Sequence, residues 1–273
     1  MSVVHGSRFP WVTLWRHRSL LWQFTVRYVD ARHRGSLLGF TWAFLNPLLM
    51  LALYTFIFSV VFSGQFRTGP HQPRFALIIF LGLMYFHLVA DILATAPGLI
   101  VSNPNFVKKV VFPLEILPAS AVGSSLFHFG VSLLLFLVGA VFLGHPFTWT
   151  ALWLPVVTLP LVLLVLGIGW FLSALGVFLR DLQQVMGFLN VVLLYTSCIF
   201  FPPEKVAALS PALWSVLRFN PLLQTVNMAR EAVLWGNSPS ALSLGYTYGC
   251  GIAVICAGYF AFQKTRPAFA DVV

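Results

Sequence analysis

Long stretches of this chain carry no Lys, Arg, Asp or Glu, and that feature limits the possible fold more than any other. A bilayer core about 30 Å thick is crossed by roughly 20 apolar residues in helical form, because only a helix satisfies every backbone N–H and C=O within one segment. Six charge-poor runs reach or approach that length, at about 35–62, 75–101, 117–143, 151–179, 185–201 and 241–262, with Asp91 alone interrupting the second. Only 8% of the 273 residues are charged and 59% are hydrophobic, against about 25% charged in a globular domain, so a water-soluble surface cannot be built from this sequence. The expected fold is an all-α integral membrane protein with six transmembrane helices.

The 16 Lys and Arg, which give a net charge of +9, are scattered and never run longer than two, so they read as topology signals and not as a nucleic-acid surface. With the N-terminus placed inside, the inner segments hold eleven of them: Arg8, Arg16, Arg18, Arg27, Arg32, Arg34, Lys108, Lys109, Arg180, Lys264 and Arg266. The outer segments hold Arg67, Arg74, Lys205, Arg218 and Arg230. This bias predicts both termini in the cytoplasm and residues 263–273 as a cytoplasmic tail. Residues 1–34 lack the apolar core and cleavage site of a signal peptide. The three cysteines, Cys198, Cys250 and Cys256, form no CxxC pair and imply neither a disulfide framework nor a metal site.

Two segments outside the spans have a pattern of their own. Within 1–34, residues 11–34 read as a helix lying on the cytoplasmic membrane surface, with Trp11, Trp15, Trp22, Val26 and Val29 on one face and Arg16, Gln23, Arg27, Asp30 and Arg34 on another. Arg18 and Arg32 fall near the apolar face and would have to snorkel. Residues 203–237, broken by Pro203, Pro211 and Pro221, read as helices too short to span, which predicts a re-entrant or outer-face helical hairpin before the last span. Residues 63–74 read as an exposed loop.

Motifs that carry chemistry are largely missing. No Lys follows a Gly, so the chain has no GxxxxGK[ST] loop with which to cradle ATP phosphates, and DxD, HExxH and GxSxG are absent too. Asp91 and His87 lie four residues apart on one face of the second span, either as a proton relay or as a packed polar pair. His128 reads as a hydrogen-bonded core residue. Gly35 with Gly39 and Gly245 with Gly249 have the spacing that permits close helix approach. Tyr54, Phe58 and Phe62 repeat every four residues and Tyr195 stands toward the outer half of the fifth span; these rings line an aromatic conduit for a sugar polymer, or they face lipid.

Three segments go beyond composition. The run "RYVDARHRGSLLGFTWAFLNPLLMLALYTFIFS" at 27–59, "NPNFVKKVVFPLEILPASA" at 103–121 and "LGVFLRDLQQVMGFLN" at 175–190, followed by "NPLLQTVNMARE", resemble the permease subunits of ABC-type polysaccharide and polyol-phosphate exporters. The chain departs from that pattern at Leu83-Met84-Tyr85 and at Pro113-Leu114-Glu115. The resemblance implies a homodimeric channel in the inner membrane, with ATP and Mg bound by two partner ATPase subunits and no cofactor on this chain. It implies that Asn103, Asn105, Phe106, Lys108, Lys109 and Glu115 form one ATPase-coupling element and Arg180, Asp181 and Gln184 the other. It also implies that Arg27, Arg32 and Arg34 border the entry of a lipid-linked polysaccharide, and that the outer hairpin gates its exit. Two other readings stay open: an integral membrane enzyme acting on lipid-linked sugar around Asp91, His87 and the Arg230-Glu231 pair, and an ABC permease for a small molecule.

Overall fold

The computed structural model describes residues 10–35, 37–57, 75–108 and 112–272. These residues are helical almost throughout and contain no strand. The helices are α1 (Pro10–Arg16), α2 (Arg18–His33), α3 (Trp42–Phe56), α4 (Phe75–Thr95), α5 (Pro104–Val107), α6 (Ile116–Phe142), α7 (Leu154–Phe178), α8 (Leu182–Thr196), α9 (Pro203–Leu209), α10 (Pro211–Leu217), α11 (Pro221–Arg230), α12 (Ala241–Thr265) and α13 (Phe269–Val272). Four helical stretches are long and apolar enough to cross a membrane: Phe75–Gly98, Ile116–Phe142, Trp149–Phe178 and Ala241–Val272. The runs expected at 35–62 and 185–201 correspond to two shorter apolar helices, α3 and α8, each of 15 residues and so about 22 Å long.

Helix α4 is the centre of the bundle. Its apolar window is 83% buried inside the fold, against 22–44% for the other three long helices, whose outward faces are left for lipid or another chain. α7 and α12 form the most extensive helix pair. Their backbones meet directly, because Gly167, Gly251 and Gly258 offer no Cβ: one at Gly258 would collide with the Gly167 carbonyl, and one at Gly251 would stand 2.6 Å from the Pro160 oxygen. In an apolar solvent helices associate by such close backbone packing. The glycine pairs singled out by spacing do not do this. Gly245 and Gly249 have nothing within 4 Å of an added Cβ, and Gly35 and Gly39, at φ +82° and +48°, are turn residues.

Specific contacts tell the two ends of the bundle apart. At the basal end, α2 lies across the start of α6, where Ser120 Oγ donates to the Leu21 carbonyl (3.4 Å) and Thr25 fills the space beside Gly123. Gly176, near the end of α7, sits against the Pro97 carbonyl just past α4, and Phe269 of α13 is packed on Phe178 and Phe262. At the hairpin end, His145 and Thr150, between α6 and α7, hydrogen-bond to the Val233 and Ala232 carbonyls, and Tyr246 near the start of α12 donates to the Phe219 carbonyl. α8 runs beside α4 in the opposite sense. Gln183 lies next to Gly98, Asn190 Nδ2 donates to the Ala90 carbonyl (3.3 Å), and Ile199, past the end of α8, packs at Gly82.

Residues 10–33 are helical as expected, interrupted only at His17, but the faces of the helix differ from the expected ones. Trp11, Trp15 and Trp22 are exposed, whereas Val29, expected beside them, is buried; the Gly39–Thr41 turn packs against α2. Leu14, Leu21, Phe24 and Tyr28 pack on the core. Arg18 does lie against an aromatic side chain, its guanidinium 5.4 Å from the Trp15 ring centre. In the hairpin each of α9, α10 and α11 begins with a proline, which needs no N–H partner at a helix start. Ser210 Oγ caps α10 and Asn220 Oδ1 caps α11.

Candidate functional site

Two loops and the end of the surface helix meet at the basal end. The first loop follows α4: a turn at Ala96–Gly98 leads through Asn103 into α5, which Pro104 starts. Asn103 Nδ2 donates to the Leu99 carbonyl (2.9 Å) and to Ser102 Oγ (3.2 Å), closing the loop on itself. Phe106 stacks on Phe112 with ring centres 4.6 Å apart, and Phe24 of α2 packs on both, at 5.3 and 5.4 Å. This three-ring cluster joins the surface helix to the loop. Asn105 and Lys108 point outward, while Lys109 lies outside the described residues.

Glu115 is not on the loop surface with them. It is 1% exposed, its carboxylate takes a hydrogen bond from Arg266 Nη1 (3.1 Å), and its carbonyl takes one from the Trp170 indole (3.0 Å). Arg266 Nη2 also donates to the Phe112 carbonyl (3.3 Å), so the tail is tied to the far end of the same loop. A buried carboxylate must be paired and hydrogen-bonded, which Arg266 provides. The sequence reading counted Arg266 only as a topology signal; a lone Arg past the last span carries no local sign of a partner 151 positions earlier.

The second loop, between α7 and α8, carries Arg180, Asp181 and Gln184, all exposed. Among the described residues no ion pair joins Arg180 to Asp181. The two loops adjoin where Gln183 lies beside Gly98. Together they expose Asn105, Lys108, Arg180, Asp181 and Gln184 at one end of the bundle.

The three arginines expected at the substrate entry part company. Arg27 lies with its guanidinium 5.9 Å from the Phe24 ring centre and lines a small cavity of about 160 Å³ with Tyr28, Ala31 and Asn103. Arg32 makes a two-pronged ion pair with Asp91 of α4, Nη1 to Oδ2 at 2.7 Å and Nη2 to Oδ1 at 2.9 Å, which raises the guanidinium's pKa further. Arg34, past the end of α2, is exposed. Asp91 therefore draws its partner from the surface helix and not from His87. The pair sits at the mouth of a cavity of about 320 Å³ between α3, α4 and α6, lined also by Trp42, Asn46, His87 and His128. Of the aromatic residues read as a conduit, Tyr195 is exposed, Tyr54 lies on α3 with its side chain outside the description, and Phe58 and Phe62 fall outside the described residues.

At the hairpin end Arg230 is 2% exposed and donates to backbone carbonyls of Ile78, Cys198 and Ile199. It does not form a polar centre with Glu231, which is exposed. Among the described residues no cluster of three or more His, Cys, Asp or Glu could hold a metal.

Known proteins share this sequence over nearly its whole length. An O-antigen export system permease protein, RfbA, from Myxococcus xanthus is 28% identical over 95% of this chain and 97% of its own. An RfbA from Klebsiella pneumoniae is 25% identical over 93% and 95%. A polysialic acid transport protein, KpsM, from Escherichia coli is 30% identical over 88% and 91%. The profile of the ABC-2 type transporter family matches residues 19–234, a range that takes in nearly all of α2, both basal loops and α9 to α11, and the chain belongs to that family.

Proposed function

We propose that this chain is the permease subunit of an ABC transporter that exports a lipid-linked polysaccharide, O-antigen or a similar surface polymer, across the bacterial inner membrane. The observation that carries the reading is similarity over nearly the whole chain to permeases named for O-antigen and polysialic acid export. The chain works as a homodimer. ATP and Mg are bound by separate ATPase subunits, a division that the lack of a GxxxxGK[ST] loop in this sequence supports.

Six crossings are the arrangement that fits the packing. The surface helix and the 103–108 loop touch through Phe24 and Phe106, so both lie on one side of the membrane. α4 crosses once between them, which supports one further crossing, by α3, ahead of it. By the same reasoning α8 returns from the basal to the hairpin end alongside α4. The Lys/Arg bias makes the basal end cytoplasmic. Nucleotide-driven closure of the ATPases pushes on the two basal loops, and the Phe24–Phe106–Phe112 cluster carries that push to the surface helix, beside which Arg27 and Arg34 meet the lipid-linked phosphate while Arg32 is held by Asp91. An enzyme acting on lipid-linked sugar needs its polar groups at one centre. Here Asp91 is engaged by Arg32 in the basal half, and Arg230 by carbonyls at the other end.

The test is deletion of the gene in its host, followed by extraction of lipid-linked sugars and enzymatic access to polymer before and after lysis. Finished polymer trapped inside the cell is expected, with export restored by the wild-type gene and not by a Lys108→Glu, Lys109→Glu double variant that still inserts. Polymer absent altogether, with only unextended precursor remaining, would overturn the reading.

A further inference from the structure

Arg230 is, after Trp170, the bulkiest side chain that is fully enclosed, and it sits where α11 passes into the π-helical turn Glu231–Trp235. Each of its three nitrogens donates to backbone: Nε to Ile78 (3.2 Å), Nη1 to Cys198 (3.2 Å) and Nη2 to Ile199 (2.8 Å). These carbonyls belong to two separate segments, the first turn of α4 and the turn after α8, so one guanidinium fastens the hairpin to both. Among the described residues no carboxylate lies within ion-pair distance of it. A buried cation without a carboxylate is tolerable only when several acceptors converge on it.

Two backbone features make that convergence possible. Cys198 adopts φ +49°, a left-handed conformation unusual for a residue with a side chain, and turns the chain so that two successive carbonyls meet one guanidinium. Gly82 leaves the space: a Cβ there would stand 2.8 Å from Arg230 Nη2 and 3.1 Å from Ile199 Cγ2.

The rest of the hairpin is packed unevenly. α11 buries Leu222, Leu223, Val226, Met228 and Ala229, whereas α9 and α10 bury no residue and pack chiefly on each other. The border falls at Asn220. Its Nδ2 donates to the Thr196 carbonyl (3.4 Å) and to Ser197 Oγ (3.2 Å), and its Oδ1 caps α11.

We propose that the hairpin consists of a foot, 220–235, clamped to α4 and to the end of α8 by Arg230, and an arm, 203–217, that opens on its own about Arg218 and Phe219. Arg230 is thus a positioning residue that holds the foot still while the arm moves. Segments open at a free-energy cost set by the contacts they bury, and the arm buries few. That the arm uncovers an export exit rests on the function proposed above; the division into arm and foot does not.

Amide hydrogen exchange on the full-length protein in lipid nanodiscs reads the division directly. In the wild type, amides of 203–217 should exchange at least about 100-fold faster than those of 222–235. Arg230→Lys, which cannot reach three carbonyls, should bring the foot to within about tenfold of the arm while α7 and α12 keep their protection. Gly82→Ala, which crowds the guanidinium, should move the foot the same way. Equal exchange of arm and foot in the wild type would overturn the proposal and mean that the hairpin moves as one piece; so would a foot unchanged in Arg230→Lys. Should Arg230→Lys fail to fold, the wild-type comparison and Gly82→Ala still decide. Loss of the export reading in the polymer assay would leave this result standing.

Discussion

The carboxylate of Glu115 is closed off from solvent, with Arg266 as its ion partner, so the two residues do not tolerate change equally. Removing the guanidinium leaves a buried charge unpaired, a loss of about 3 kcal/mol, whereas removing both charges at similar volume is close to neutral. Arg266→Met should therefore lower the unfolding temperature of the detergent-solubilised protein clearly, and Glu115→Gln added to it should recover more than half of the loss. Equal destabilisation by the single and double variants would show that the ion pair is not what holds the tail. The same pair marks how far sequence reasoning reached at this scale. Lys108 and Asn105 stand outward on the loop that the resemblance singled out, but Glu115 of the same stretch is turned inward. Asp91 shows the limit again. Four-residue spacing points to His87, while the actual partner, Arg32, lies 59 positions away. A side chain's neighbours along its own helix can be read from spacing; neighbours delivered by another helix cannot.

At the scale of elements, the α7–α12 pair depends on which face of a helix carries its glycines. With about 100° per residue, Gly245 and Gly249 point roughly opposite to Gly251 and Gly258, and only the latter pair meets α7. Gly167→Ala and Gly258→Ala place a Cβ against backbone atoms that cannot move aside, so each should cost about 1–3 kcal/mol. Gly245→Ala and Gly249→Ala meet nothing within 4 Å and should be neutral or slightly stabilising. Thermal unfolding monitored by size-exclusion fluorescence separates the two pairs, and equal effects would show that the helices do not pack as described. A four-residue glycine spacing was visible in the sequence. The rotation that decides which glycines are used was not, because it follows from the joint packing of α4, α7 and α12.

For the whole molecule, the arrangement of crossings is what an impermeant thiol reagent can test. With Cys250 and Cys256 replaced by Ser, Ala208→Cys on the outer arm should label in spheroplasts, whereas Asn105→Cys and Asp271→Cys should label only after the membrane is opened. Labelling of Asn105→Cys in intact spheroplasts would invert the orientation, and labelling of Asn105→Cys and Asp271→Cys on opposite sides would refute an even number of crossings between them. The sequence by itself determined the all-helical character, four of the six expected spans as long apolar helices, and the proline-started helices within 203–237. Each follows from local chemistry: uninterrupted apolar length and a ring that removes one N–H. Only the tertiary structure decided that α8 has 15 residues and that Val29 is covered while Trp22 is not. It also decided that Asp91 and Glu115 are neutralised by Arg32 and Arg266 and that Arg230 is held by three carbonyls. The reason is physical: a charge or a glycine in an apolar bundle is satisfied by whatever the neighbouring helix presents at that depth and rotation, and depth and rotation are properties of the packed assembly, not of any one segment.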